Sequence, residues 1–245
     1  MQDPAHASPQ PGSIAAILPA AGSGQRFGSQ RNKLFASLAD KPLWFHAAAR
    51  LRQHPLVGPL IMAISASDRS AFEGEFKALV EQLQIQLVPG GAERTDSVLA
   101  GLDAISGDEA IDLVAIHDAA RPLVGQSDLS AVFAIASQTG AAILATPVSG
   151  TVKRSSIQER RSETVDRREL WLALTPQVFR VGLLKEAYQK HNGRPATDDA
   201  QLVERCGHDV SLVRGSADNL KITYPEDLLV AEAILAGQRK KNEHA

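Results

Sequence analysis

Short unbroken apolar runs alternate along this chain with longer segments in which apolar residues recur every three or four positions. Residues 14–18, 60–64, 85–88, 113–116 and 141–145 read as strands buried on both faces, because they show no polar alternation. Between them, residues 43–54, 68–83, 95–104 and 128–139 follow the helical period. Ser67 or Asp68 is placed to cap the second helix, and Ser127 or Asp128 the fourth. A last helix is expected over residues 225–238, opened by Pro225 and the acids Glu226 and Asp227. Strand and helix alternating in this way predict an α/β fold: a mainly parallel sheet flanked by helices.

Three stretches depart from that pattern. Residues 1–13 are polar and Pro-rich and read as a flexible leader without the apolar segment of a signal peptide. Residues 239–245 read as a frayed tail. Residues 148–168 are polar, with charge runs at Lys153–Arg154 and Glu159–Arg161, and read either as an arm leaving the sheet or as a disordered loop. The organisation expected is one domain over residues 14–238 carrying that arm.

Composition narrows the function classes. The net charge is −2, so no global basic field is present to hold a nucleic-acid backbone, and aromatics at 4% supply few stacking platforms. One cysteine, Cys206, excludes an intrachain disulfide and a Cys-rich zinc site and fits a reducing compartment. No run approaches the roughly 18 apolar residues of a membrane span. No membrane or nucleic-acid partner is expected, and the cytoplasm is the default location.

The chemistry concentrates after the first strand, in Pro19-Ala20-Ala21-Gly22-Ser23-Gly24-Gln25-Arg26-Phe27-Gly28, followed by Asn32-Lys33-Leu34. Small residues let backbone N–H groups approach a phosphate, and Arg26 and Lys33 add full charges. The spacing is not that of a dinucleotide loop, since Gln, Arg and Phe separate Gly24 from Gly28, nor of a P-loop, since no Gly precedes Lys33. A plain Gly-rich turn is the structural alternative, and the two cations weigh against it.

With these residues the chain resembles the 2-C-methyl-D-erythritol 4-phosphate cytidylyltransferase family of the non-mevalonate isoprenoid route. The resemblance continues through Gly90-Gly91-Ala92-Glu93-Arg94-Thr95-Asp96-Ser97-Val98 and His117-Asp118-Ala119-Ala120-Arg121-Pro122. It extends through Thr164-Val165-Asp166-Arg167, Thr175-Pro176-Gln177, Thr197-Asp198-Asp199-Ala200 and Asp218-Asn219-Leu220-Lys221-Ile222-Thr223. It implies a Rossmann-like nucleotidyltransferase fold, transfer of CMP from CTP to a small sugar-alcohol phosphate, Mg²⁺ or another divalent cation held mainly by the CTP phosphates, and a homodimer through the arm. Arg26, Lys33, Arg167 and Lys221 are then the catalytic candidates. Ala20, Ala21, Gly22, Gly90, Gly91, Ser97 and Ala119 fall to CTP. Asp118, Arg121, Thr151, Arg167, Thr197, Asp198 and Lys221 fall to the acceptor, with Lys153 a possible contributor. Thr151, Lys153 and Arg167 would act across the dimer.

Two positions depart from the family pattern. Ala92 stands where relatives can carry Asp, which leaves only backbone contact there. Asn32 and Leu34 flank the loop lysine where the family usually has Pro and Gln, so a more mobile loop is expected. Read without the resemblance, Ser97 is an ordinary helix residue, Asp118 and Arg121 an ion pair, His117 a satisfied structural histidine, Arg167 a solvated charge and Lys221 a surface lysine. A ribitol-5-phosphate cytidylyltransferase shares the expected fold and donor. A non-catalytic nucleotide-binding module is the rival from another class, and charges aimed at both leaving group and acceptor disfavour it. A dinucleotide oxidoreductase is disfavoured by the loop spacing. Some relatives fuse a zinc-dependent cyclase downstream; the sequence stops soon after the last helix, and a single activity is expected.

Overall fold

The computed structural model describes residues 9–22, 27, 31–156, 161–191 and 193–243. A seven-stranded sheet is built from β1 (Ile14–Pro19), β4 (Val57–Ile64), β5 (Ile85–Pro89), β6 (Leu113–Ile116), β7 (Ala141–Pro147), β10 (Trp171–Arg180) and β11 (Ser211–Arg214), in the order β11-β7-β10-β6-β1-β4-β5. Neighbours pair in parallel except at β10, which is antiparallel to both β6 and β7. The apolar runs do form strands of the sheet, β5 at one edge, and β10 and β11 complete it. A short hairpin, β2 (Ser37–Leu38) with β3 (Lys41–Pro42), leads into the first helix.

Burial on both faces explains the missing polar alternation. Ile14, Ala16 and Leu18 of β1 pack on one side with α1 (Leu43–Arg52), α5 (Gln126–Thr139) and α8 (Asp227–Glu243). Ala15 and Ile17 face the other side with α4 (Arg94–Ala104), α6 (Val181–Gln189) and α7 (Asp199–Arg205). Helix α4 lies so close to β1 that a Cβ on Gly101 would stand 2.6 Å from Ile17 Cγ2, so any larger residue would push the helix off the sheet.

Several local expectations change. The helix expected over residues 68–83 is two, α2 (Arg69–Glu73) and α3 (Lys77–Gln82). Gly74 leaves the helical region at φ −114°, ψ −91°, a glycine costs about 1 kcal/mol in a helix interior, and Phe76 N–H bonds back to Ala71 O. The break leaves Phe72 and Phe76 in one cluster of edge-on and tilted rings with Phe35 and Trp44. Asp68 occupies the N-cap position of α2 but makes no side-chain cap bond, because its Oδ2 accepts from Asn32 and Ser65 instead. Helix α5 opens at Gly125 rather than Ser127 or Asp128, and the Asp128 carboxylate accepts from Ser216 N. Helix α8 continues to Glu243, past residue 238, where the apolar pattern ends; Arg239 and Lys240 suit the negative end of its dipole.

The described residues between β7 and β10 form a hairpin arm. Strands β8 (Val152–Ser156) and β9 (Arg161–Val165) pair antiparallel, from Val152 opposite Val165 to Ser156 opposite Arg161, and Val148 N–H bonded to Leu170 O closes the base. Of the expected leader, residues 1–8 lie outside the described residues. The rest forms a turn that donates from Gly12 N to Pro55 O.

Candidate active site

The carboxyl ends of β1 and β6 open into a cleft of about 530 Å³. Its floor is the turn after β1, where Ala20, Ala21 and Gly22 follow the strand and Ala20 N donates to Ala63 O. One wall is the start of α4. Glu93 and Asp96 form a reciprocal capping box there, with Glu93 N donating to Asp96 Oδ2 at 2.9 Å, and they leave Gly91, Ala92, Arg94 and Ser97 facing the cleft. Gly90 does not line it, yet supports it: a Cβ there would meet Ala21 Cβ at 2.6 Å and Ser97 Oγ at 2.9 Å.

The opposite wall joins two segments distant in sequence. Ile222 N donates to Ala120 O, Arg121 Nη1 to Asn219 O at 2.8 Å, and Asn219 Nδ2 to Thr175 O at 2.7 Å. These bonds lay residues 219–223 against the turn after β6, so Asp118, Ala119, Ala120, Lys221 and Thr223 share one surface. Lys33 arrives on a 3-10 turn, Lys33–Phe35, and its Nζ donates to Ile222 O at 2.9 Å. Where proline would have stiffened the segment before Lys33, Asn32 restrains it by hydrogen bonding: Oδ1 accepts from Leu34 N, and Nδ2 donates to Asp68 Oδ2 at 2.8 Å.

Asp118 collects the cations. Lys221 Nζ lies 2.9 Å from its Oδ2, Arg121 Nε 3.5 Å from the same oxygen, and Arg94 Nε 3.7 Å from Oδ1. Burial pushes this carboxyl up, but Lys221, Arg94 and Arg121 together outweigh it and hold it well below the usual carboxylate range.

His117 beside it is fully buried. The Arg121 carbonyl can only accept, so the bond of 3.0 Å to Nε2 places the ring proton there. Nδ1 then accepts from the Thr175 hydroxyl, which itself accepts from Asp118 N. This relay is complete only with a neutral ring, which makes His117 a scaffold and not a proton carrier. Burial, partly offset by the Arg121 carbonyl, pushes its pKa down to about 4. Between that value and the ordinary 6.5 the unfolded chain binds the extra proton, so native stability should fall as pH drops from 6.5 to 4, by on the order of 3 kcal/mol at the lower end. The half-buried His46 and buried His54 rings, both pushed down by desolvation, add to it with the same sign. Denaturant unfolding at steps across that range checks this; a flat profile would contradict the assignment.

The cleft thus brings together Ala20, Ala21, Gly22, Lys33, Gly91, Ser97, Asp118, Ala119 and Lys221 of the expected site residues. Arg26 lies outside the described residues. Arg121 stands behind the wall as a brace. Thr151 and Arg167 are exposed, at the start of the arm and just after β9, and do not line this cleft. Thr197 and Asp198 do not line it either: Asp198 caps α7 through Oδ1 to Gln201 N, and its Oδ2 accepts from Gln177 Nε2. Arg94 and Thr223 line the cleft without having been singled out in the sequence, although both stand inside the motifs that carried the resemblance. Lys33, Arg94 and Lys221 outnumber the cleft's carboxylates, Glu93 and Asp118, so the described surface favours an anion. Among the described residues, no three His, Cys, Asp or Glu side chains gather as metal ligands.

The chain is similar to known proteins over most of its length. A family model described as 2-C-methyl-D-erythritol 4-phosphate cytidylyltransferase matches residues 14–237. The protein of that name from Rhodopirellula baltica is 56% identical over 232 residues, covering 91% of this chain and 95% of the relative. The one from Bacillus velezensis is 41% identical over 225 residues, with 91% and 95% covered. The crystal structure of the Thermus thermophilus enzyme superposes with a TM-score of 0.74 at 33% identity, over 90% of this chain and 97% of that one. The 4-diphosphocytidyl-2C-methyl-D-erythritol synthase structure from Anaerococcus prevotii gives 0.78 at 27% identity, over 91% and 98%.

Proposed function

We infer the chemistry of this chain from its membership: it belongs to the 2-C-methyl-D-erythritol 4-phosphate cytidylyltransferase family. It transfers CMP from CTP to 2-C-methyl-D-erythritol 4-phosphate, giving 4-diphosphocytidyl-2-C-methyl-D-erythritol and pyrophosphate in the non-mevalonate isoprenoid route. The observation that carries the reading at the residue level is the cleft itself. There Lys33 Nζ bonds Ile222 O and Lys221 Nζ pairs with Asp118, in a cleft that Gly91 and Ser97 also line.

In the proposed mechanism the acceptor's phosphate oxygen attacks the α-phosphorus of CTP, one P–O bond forms, and the bond to the β-phosphate oxygen breaks. A phosphate monoester has its second pKa at about 6, so the nucleophile is already largely dianionic and no general base is required. The difficulty is to bring two anions together, and fixed positive groups meet it. Backbone groups of Ala20, Ala21 and Gly22 take the nucleotide at the end of β1, with Gly91, Ser97 and Ala119 around the base and ribose. Lys33 and Arg26 serve the triphosphate. Lys221, steadied by Asp118, serves the acceptor, while Thr197 and Asp198 stand at the rim of α7. Mg²⁺ or another divalent cation, carried on the triphosphate with most of its waters, would supply further charge neutralisation. Asp118 and Glu93, the carboxylates that line the cleft, would be the side chains to meet that water shell.

The arm belongs to the same proposal. Thr151 and Arg167 are exposed and do not line the cleft of their own chain, and Trp171 and Leu172 remain exposed at the arm's base. A homodimer in which each arm reaches the partner's cleft would bring Arg167 to the acceptor phosphate. Arg167→Ala should then lower kcat/KM for the acceptor roughly ten- to a hundredfold, the loss of one charge-assisted contact, with CTP affinity unchanged. Unchanged acceptor kinetics would remove Arg167 from the site. No helix of the described residues is long and apolar enough to cross a membrane; a cytoplasmic location is proposed, supported by the single unpaired Cys206.

The deciding experiment is pyrophosphate release from CTP and Mg²⁺ with methylerythritol phosphate, run beside ribitol 5-phosphate. Turnover with the first is expected. Turnover with ribitol 5-phosphate alone would keep the chemistry and move the acceptor.

A further inference from the structure

We propose that Arg94 is a positioning residue for CMP transfer, held in place by a buried Tyr188–Asp199 pair that touches no substrate; the inference rests on the roles given above to Asp118 and Lys221. Arg94 is the first residue of α4, and its Nη2 lies 2.7 Å from Asp199 Oδ2. The other oxygen of Asp199 accepts from the Tyr188 hydroxyl at 2.6 Å. Asp199 is 0% exposed, and neither it nor Tyr188 lines the cleft.

A buried carboxylate is costly unless something requires it. Asp199 opens α7, but that end is already satisfied. Asp198 caps it through Gln201 N, and Gln177 Oε1 accepts from both Asp199 N and Ala200 N. The side chain of Asp199 is therefore free to serve Arg94, and Tyr188 fixes its remaining oxygen. Burial and the neighbouring carboxylate push the Tyr188 phenol up, which keeps the donated proton on its oxygen.

The consequence reaches the cleft. Arg94 Nε stands 3.7 Å from Asp118 Oδ1, and the opposite oxygen of Asp118 holds Lys221 at 2.9 Å. A planar guanidinium can address two carboxylates at once, whereas an ammonium is a single point of charge. Arg94 thus limits the rotation of Asp118, and Asp118 in turn fixes where Lys221 points. Tyr188, on α6, thus sits four contacts from Lys221, with Asp199, Arg94 and Asp118 between them.

The test uses the full chain and steady-state pyrophosphate release. Tyr188→Phe removes one oxygen and should lower kcat about tenfold or more, as a misplaced cation does, while CTP affinity measured without acceptor stays within about twofold. Arg94→Lys should lose at least as much, and Tyr188→Phe combined with Arg94→Lys should be no worse than Arg94→Lys alone, because the two act through one another. Additive losses, an unchanged kcat in Tyr188→Phe, or equal falls in kcat and CTP binding would overturn the proposal. Should Tyr188→Phe fail to fold, Arg94→Lys decides by itself: wild-type turnover would mean that charge suffices and positioning is not the role. A wild-type chain inactive on the acceptor would sink the functional reading and this inference together, whereas an active wild type with an indifferent Tyr188→Phe sinks only the inference.

Discussion

Replacing Lys33 with alanine should cut pyrophosphate release by about a hundred- to a thousandfold, the loss expected when one preorganised charge is withdrawn from a transition state. Stability should barely move. The 3-10 turn that carries Lys33 is held by Asn32 and by the burial of Leu34, and neither depends on the ammonium group. The side chain is half-buried, and its bond to Ile222 O contributes on the order of 1 kcal/mol, worth about 2–4 °C in the unfolding midpoint of a chain this size. Rates and thermal melts on the same preparation separate the two effects. A folded variant turning over within a few-fold of wild type would remove Lys33 from the mechanism.

Asp118→Asn should behave differently, losing activity and stability together. Its carboxylate is the shared partner of Lys221, Arg121 and Arg94, and the side chain is only 13% exposed. Asparagine keeps the shape and removes the charge, leaving Arg121, itself nearly buried, beside two other cations. Removing one member of a buried ion cluster costs roughly 3–5 kcal/mol, which places the midpoint on the order of 10 °C lower at neutral pH. The sign follows from the depressed carboxyl. Its stabilisation is fully present above the unfolded value of about 3.9 and is lost as pH falls towards the folded value. The gap between variant and wild type should therefore be widest at neutral pH and narrow below pH 4. Equal stability at pH 7 would mean that the three cations are held by something else.

These two residues also mark how far a single sequence can be read. Lys33 was legible because a Gly-rich turn after an apolar strand, followed by a lysine, names its chemistry within twenty residues. Asp118 was legible as a candidate, but its role was not: its partners lie at 94, 121 and 221, and only Arg121 is near in sequence. Asp198 was read as a ligand from its motif, and the structure adds that its Oδ1 caps α7. Arg94 was quoted in a motif and passed over, since nothing local announces a partner 105 residues away.

What the sequence determined by itself is whatever depends on near neighbours. The strand and helix periods report burial on one or both faces, the turn after β1 reports backbone freedom, and the charge balance reports what the surface can attract. What the tertiary structure alone decided depends on encounters between distant segments. It placed β10 antiparallel between β6 and β7, let Gly74 divide one expected helix into two, and laid residues 219–223 against the turn after β6. The physical reason is that local periodicity encodes how much of a residue is buried but not which residue it meets, and a charged site is made by the meeting.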